Sequence, residues 1–165
     1  MLIISATSNK NLLLAENIKS LAENEKINSE LINLENYSIP LYTSIEHNKG
    51  IPSEVDLLTQ KFIDTNAFIF CAPEYNGSIP PILTNLIAWI SVSTDQWREV
   101  FNGKLGLLAT HSGGQGTNIL RAMRIQLEHL GVIILPRTIV INKHSDFNLE
   151  SSRSKLRQLI SLTKK

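Results

Sequence analysis

Ala72-Pro73-Glu74-Tyr75-Asn76-Gly77-Ser78-Ile79-Pro80 is the stretch whose reading fixes the architecture. It follows the apolar run Ala67-Phe68-Ile69-Phe70-Cys71 and precedes a helix-like segment, Ile82 to Ile90. A strand built only from apolar residues is one covered on both faces, as in a parallel sheet. Here it stops at a proline, and mostly polar residues lead into a Gly-Ser turn. Gly77 admits a positive φ, and prolines flank the turn on both sides. A loop so stiffened at the carboxyl end of a strand can hold backbone N–H and C=O groups toward a ligand, and ligands of open α/β sheets bind at that edge.

Strand and helix signals alternate on either side of this stretch. Leu2 to Ala6 is a short apolar run, and Leu14, Ile18, Leu21 and Ala22 recur at helical spacing. Ser29 to Leu34 is a more polar strand candidate, and Ile51-Pro52-Ser53 opens a helix with Val55, Leu58 and Phe62 on one face. Lys104 to Thr110 supplies a fourth strand. Ile119, Met123, Leu127 and Leu130 form the next helical stripe, with Gly131 as its C-terminal cap. Val132 to Ile141 reads as the fifth strand, and Leu156, Leu159 and Ile160 mark a last helix. Neither a repeat nor a low-complexity tract divides the chain, so residues 1–165 are expected to form one domain.

Five βα units in series predict an α/β three-layer sandwich, a five-stranded parallel sheet with helices on both faces. Continuously apolar strands belong in the middle, which fits the first, third and fourth. The second carries Ser29, Glu30 and Asn33, and the fifth contains Pro136, which cannot donate to a two-sided ladder. The order 2-1-3-4-5 follows. Its switch point lies between strands one and three, so the loops beginning at Ser5 and Pro73 should meet at the ligand crevice.

Composition narrows the function. Hydrophobic residues make up 42% and charged residues 19%, an ordinary globular mixture. A net charge of +1 gives no electrostatic case for a nucleic-acid or membrane-surface partner, and the basic pair Lys164-Lys165 is too short to alter that. No apolar stretch has the length of a membrane span, and Met1 to Ala6 lacks the basic start and cleavage site of a leader. With Cys71 as the one cysteine, an intramolecular disulfide is impossible, and the cytoplasm is the expected compartment.

Two further loops share the predicted edge. Ser5-Ala6-Thr7-Ser8-Asn9-Lys10-Asn11 runs from strand one into helix one. Ser5, Thr7, Ser8, Asn9 and Asn11, with the free N–H groups of a helix N-terminus, make a phosphate site that needs no metal; the plainer reading is a helix cap. Thr110-His111-Ser112-Gly113-Gly114-Gln115-Gly116-Thr117 follows strand four, and its glycines let backbone pass close to a planar or anionic ligand. It is not a dinucleotide fingerprint. Cys71 reads as a small core residue, and His47, His129 and His144 show no metal-ligand spacing. Neither a carboxylate pair nor a Ser-His-Asp arrangement argues for hydrolysis. Trp89 belongs either to the core or to a subunit interface, and Trp97 decides nothing.

The string PEYNGSIPPILTNLIAWIS, from Pro73 to Ser91, closely resembles the flavin-ring loop of the NADPH-dependent FMN reductase family, in the flavodoxin-like superfamily. THSGGQGTNILRAMRIQLEHLGVIILP, from Thr110 to Pro136, looks like that family's second ring-binding loop and the helix after it. The resemblance covers residues 66 to 136 well and the first loop loosely. That loop lacks the family's usual glycine-serine and arginine; it looks more like a flavodoxin phosphate loop in which Ser8 replaces the usual glycine.

The resemblance implies a flavodoxin-like fold with FMN as cofactor and NADPH or NADH as electron donor. It implies that Pro73, Glu74, Tyr75, Asn76, Gly77 and Ser78 shape or line the flavin-ring site, joined by His111, Ser112, Gly113 and Gly114. A small-molecule electron acceptor (free flavin, a quinone, an azo compound or a metal ion) is implied as the partner, together with a homodimer or homotetramer. The alternative is a flavodoxin-like electron carrier, or a binding protein whose flavin site has weakened; carriers are commonly acidic, and this chain is nearly neutral. Hydride transfer to a flavin needs no acid or base of the hydrolase kind, so no catalytic side chain is expected. The helix from Pro80 to Ser91 is apolar on nearly every side, which leads to the expectation that its outer face is shared with a second copy.

Overall fold

Successive strand residues face opposite sides of a sheet, and in the computed structural model the three most apolar runs form its middle. The structure describes residues 1–96 and 98–163; Trp97 and the pair Lys164-Lys165 lie outside the described residues. The strands β1 (Leu2–Ser5), β3 (Ala67–Cys71) and β4 (Leu105–His111) lie side by side, and β2 (Glu30–Asn33) flanks β1. All pairings are parallel, with Ser5 opposite both Asn33 and Cys71, and Cys71 opposite Ala109. The order is β2-β1-β3-β4, followed by β5 (Ile133–Ile134), as the polarity of the strands predicts.

The far edge departs from expectation. Val132 to Ile141 is not one strand but two, β5 (Ile133–Ile134) and β6 (Ile139–Ile141), both pairing with the same side of β4. Pro136 sits in the gap, where the missing N–H costs no ladder bond. Arg124 reaches across from its helix and donates to the carbonyls of Ile134 and Leu135, at 3.4 and 2.8 Å, so the break leaves neither oxygen without a partner. The register beside it is tight: a Cβ on Gly106 would lie 2.8 Å from Val132 Cγ1 and closer still to Ile134 Cδ1.

The helices are α1 (Lys10–Asn24), α2 (Ser44–His47), α3 (Ser53–Ile63), α4 (Pro81–Ile90), α5 (Thr117–His129) and α6 (Leu149–Thr163). The short α2 carries no sequence periodicity long enough to announce it. On one face of the sheet Leu2, Ile4, Phe68 and Phe70 pack with Leu58 and Phe62 of α3, Leu86 and Ile90 of α4, and Met123 and Leu127 of α5. On the other, Ile3, Ile69, Cys71 and Leu107 pack with Leu14 and Ile18 of α1 and Leu156 and Leu159 of α6. This is the flavodoxin-like three-layer arrangement.

Helix α4 corrects a second expectation. Its outer side does not present an apolar patch: Leu86 and Trp89 are both fully buried within the chain. The cover is the segment that follows β2. Trp89 Nε1 donates to Pro40 O at 2.8 Å, Asn85 Nδ2 donates to the same carbonyl at 3.0 Å, and Tyr42 N donates to Asn85 Oδ1 at 2.8 Å. The Tyr42 ring meets Trp89 edge to face at 5.1 Å. An all-round apolar helix is thus explained by burial alone.

Candidate functional site

Parallel strands bring the loops after β1, β2, β3 and β4 to a single edge of the sheet, and hydrogen bonds between those loops fix their relative positions. Ser5 is buried at the end of β1, and its hydroxyl donates to Thr7 O at 2.7 Å, turning the chain toward α1. Asn9 is the residue before the helix, at φ 63° and ψ −128°, a positive-φ conformation outside the left-handed helical basin that side-chain-bearing residues seldom adopt. Its side chain does not cap α1, so capping leaves the first-turn N–H groups open. Thr7 is buried and makes no side-chain hydrogen bond among the described residues.

Asn11 bridges two of the loops. It is buried, its Nδ2 donates to His111 O at 3.0 Å, and its Oδ1 accepts from His111 N at 2.9 Å. The amide mimics a strand partner and ties the first loop to the end of β4, so both of its polar atoms have partners within the protein. That tie was not readable locally, because the two residues lie far apart in the chain.

The loop after β3 closes on itself. Tyr75 N donates to Ser78 O at 3.1 Å and Ser78 N to Tyr75 O at 2.9 Å, around a two-residue turn formed by Asn76 (φ 50°) and Gly77 (φ 73°). Two positive φ angles in succession are what an Asn-Gly pair supplies best, so the turn is centred one residue earlier than the Gly-Ser reading put it. Asn76, Gly77 and Ser78 are exposed, Tyr75 is 48% exposed, and Pro73 is half-buried.

Glu74 joins this loop to the fourth. Its N–H donates to Ser112 Oγ at 3.3 Å, while its carboxylate accepts from the backbone of Asn118 and Ile119, each at 3.2 Å. Helix α5 begins after Gly116, which offers no capping side chain, and the carboxylate of Glu74 fills that role from outside. Ser112 is buried, its hydroxyl 2.8 Å from that of Thr110, which in turn donates to Ala72 O at 2.7 Å. His111 is half-buried, and Gly113 and Gly114 are exposed, with open space where a Cβ would stand. A hollow of about 450 Å³ lies against this edge, lined by Glu74, Tyr75, Asn76, Ile79 and Pro81. A larger one, about 550 Å³, lies at the opposite end of the molecule between the end of α1 and α6 and meets none of these loops.

Two residues at this edge were not anticipated. Glu35 Oε2 accepts from Ser8 N at 2.8 Å, and Asn33 Nδ2 donates to Ser8 Oγ at 3.0 Å. Glu35 sits in a 3-10 turn, Leu34–Asn36, directly after β2. The signal for them was the strand order itself, since a strand placed beside β1 must deliver its own C-terminal turn to the first loop. Cys71 takes no part: it is buried, and burial pushes its thiol far above the ordinary range. Among the described residues there is no group of three His, Cys, Asp or Glu able to hold a metal, and no helix long and apolar enough to cross a membrane.

Open donors at the start of α1, a rigid Asn-Gly turn and bare glycine backbone suit an anionic group joined to a flat polar ring, so the residues present fit an FMN-sized ligand at this edge. Comparison with known proteins points the same way. An uncharacterized protein of Mycoplasma pneumoniae is 26% identical over 165 residues, covering 96% of this chain and 97% of that protein. A quinone reductase of Escherichia coli is 30% identical over 106 residues, covering 64% of this chain but 53% of the reductase, so the chain matches about half of that relative's length. In solved structures the fold recurs in FerB, a flavoenzyme NAD(P)H:(acceptor) oxidoreductase from Paracoccus denitrificans, with a TM-score of 0.79, 18% identity, and coverage of 99% and 96%. The family model for NADPH-dependent FMN reductases matches residues 1–146. The chain therefore belongs to the NADPH-dependent FMN reductase family.

Proposed function

We propose that this chain is an FMN-dependent NAD(P)H oxidoreductase that passes electrons from a nicotinamide donor to a small acceptor such as a quinone, free flavin, azo compound or metal ion. The observation that carries the reading is the family match across residues 1–146, which spans all the loops gathered at the sheet edge. Bound FMN would supply the redox chemistry, accepting a hydride and releasing electrons to the acceptor.

The chain's own residues supply position. In this reading the uncapped first turn of α1 and the Thr7 hydroxyl hold the phosphate. The Tyr75–Ser78 turn and the backbone of His111 to Gly114 hold the ring edge. Glu74, Ser112 and Thr110 keep those two loops at a fixed separation through the bonds described above. Such preorganisation limits what the protein must reorder when the flavin enters.

The reading treats the chain as a single flavin-binding domain in the cytoplasm, supported there by a lone, buried cysteine. It also retains a homodimer, through a different surface from α4. Leu41 and Ile45 are each 72% exposed on the segment that covers that helix, and large apolar side chains so exposed and so close in sequence favour a partner. The test is direct. Protein purified with FMN should show a flavin spectrum that bleaches on anaerobic addition of NADPH or NADH and returns on addition of a quinone. A chain that takes up FMN but is never bleached by either donor would favour an electron carrier; one that takes up none would overturn the reading.

A further inference from the structure

The first loop already holds an anion. Glu35 reaches from the turn after β2 and places Oε2 2.8 Å from Ser8 N, at the approach to the N-terminus of α1. It is positioned from behind: Asn33 Oδ1 accepts from Glu35 N at 3.2 Å, while Asn33 Nδ2 donates to Ser8 Oγ at 3.0 Å. Glu35 takes part in none of the ion pairs given for the described residues, and its carboxylate accepts from the Ser8 backbone N–H. A carboxylate and a flavin phosphate would seek the same electropositive helix end, and like charges at that range repel.

We propose that Glu35 is an internal competitor for the flavin phosphate and sets how readily the flavin exchanges. This rests on the FMN reading above. Phosphate entry takes the Ser8 N–H from Glu35 or forces the carboxylate aside. The bound flavin is then held less firmly than the loop alone would allow. The penalty applies to the phosphate alone, so riboflavin, which lacks it, is indifferent to residue 35.

Isothermal titration of FMN and riboflavin into the unmodified protein, Glu35→Gln and Glu35→Ala tests this, with circular dichroism melts to confirm that each variant folds. FMN should bind about fivefold more tightly to both variants, the order of one exposed charge–charge interaction, and leave more slowly in stopped-flow displacement. Riboflavin affinity should not change. Unchanged or weakened FMN binding in both variants would overturn the proposal and make Glu35 a support for the loop, and equal tightening of both flavins would overturn it by removing the phosphate from the effect. Absence of binding by either flavin in any of the three proteins would instead defeat the FMN reading on which the proposal stands.

Discussion

Asn11 spends both polar atoms of its side chain on the protein's own backbone. With both amide atoms on the backbone of His111, Asn11→Ala strands a donor and an acceptor in a partly buried setting. The expected cost is about 1–3 kcal/mol of stability in urea unfolding, with FMN affinity falling only as far as the two loops drift. Thr7 is the contrasting case. Its hydroxyl is uncommitted among the described residues, and Thr7→Ala should leave unfolding nearly unaltered while weakening FMN by about 1.5–3 kcal/mol, the strength of a hydrogen bond to a charged group. Equal FMN affinity in Thr7→Ala and the unmodified protein would move the phosphate elsewhere. Cys71 should resist Ellman's reagent in the native protein and react in urea, because its thiol is both buried and held protonated. Of these three, only the core cysteine could be read from its neighbours in sequence. Asn11 and Thr7 look alike there, polar residues in one polar loop, and what separates them is a partner a hundred positions away.

The elements tell a more legible story. Three continuously apolar runs became the three inner strands, and the polar second run and the proline-bearing fifth went to the edges, because burial on both faces and an unbroken ladder impose those patterns directly. What the same logic missed was the break within the fifth strand and the cover over α4. Both depend on polar atoms arriving from elsewhere: Arg124 at the freed carbonyls, and Asn85 and Trp89 at Pro40. Asn85→Ala removes two of the bonds that pin the cover, so the Tyr42 amide should exchange with deuterium markedly faster while amides of β3 stay protected. A uniform rise across both would mean the whole fold had loosened. Gly106→Ala should cost about 1–3 kcal/mol, since its new methyl meets Val132 and Ile134 in a filled space.

The outer face of α4 is where the sequence pattern misled most, since Leu86 and Trp89 are buried within the chain. A helix apolar on every side reads equally well as interface or as core, and periodicity cannot tell a partner subunit from a covering segment of the same chain. With α4 enclosed, the expected dimer contact moves to Leu41 and Ile45. Light scattering at micromolar concentration should report twice the 18.5 kDa chain mass, and the pair of substitutions Leu41→Glu and Ile45→Glu should return it to the chain mass without lowering the melting temperature. A dimer that survives both substitutions would place the contact elsewhere.

The clasp between Asn11 and His111 also has a bearing on how the protein is made. Its two halves are separated by 100 positions, with β2 and β3 synthesised in between. Closing so wide a span is entropically unfavourable until the intervening strands have docked. A nascent chain therefore lacks the loop after β4, one wall of the proposed flavin site, until β4 is in place. In a refolding experiment, yellow colour should appear only after the sheet has formed, and truncated chains ending before Leu105 should remain colourless.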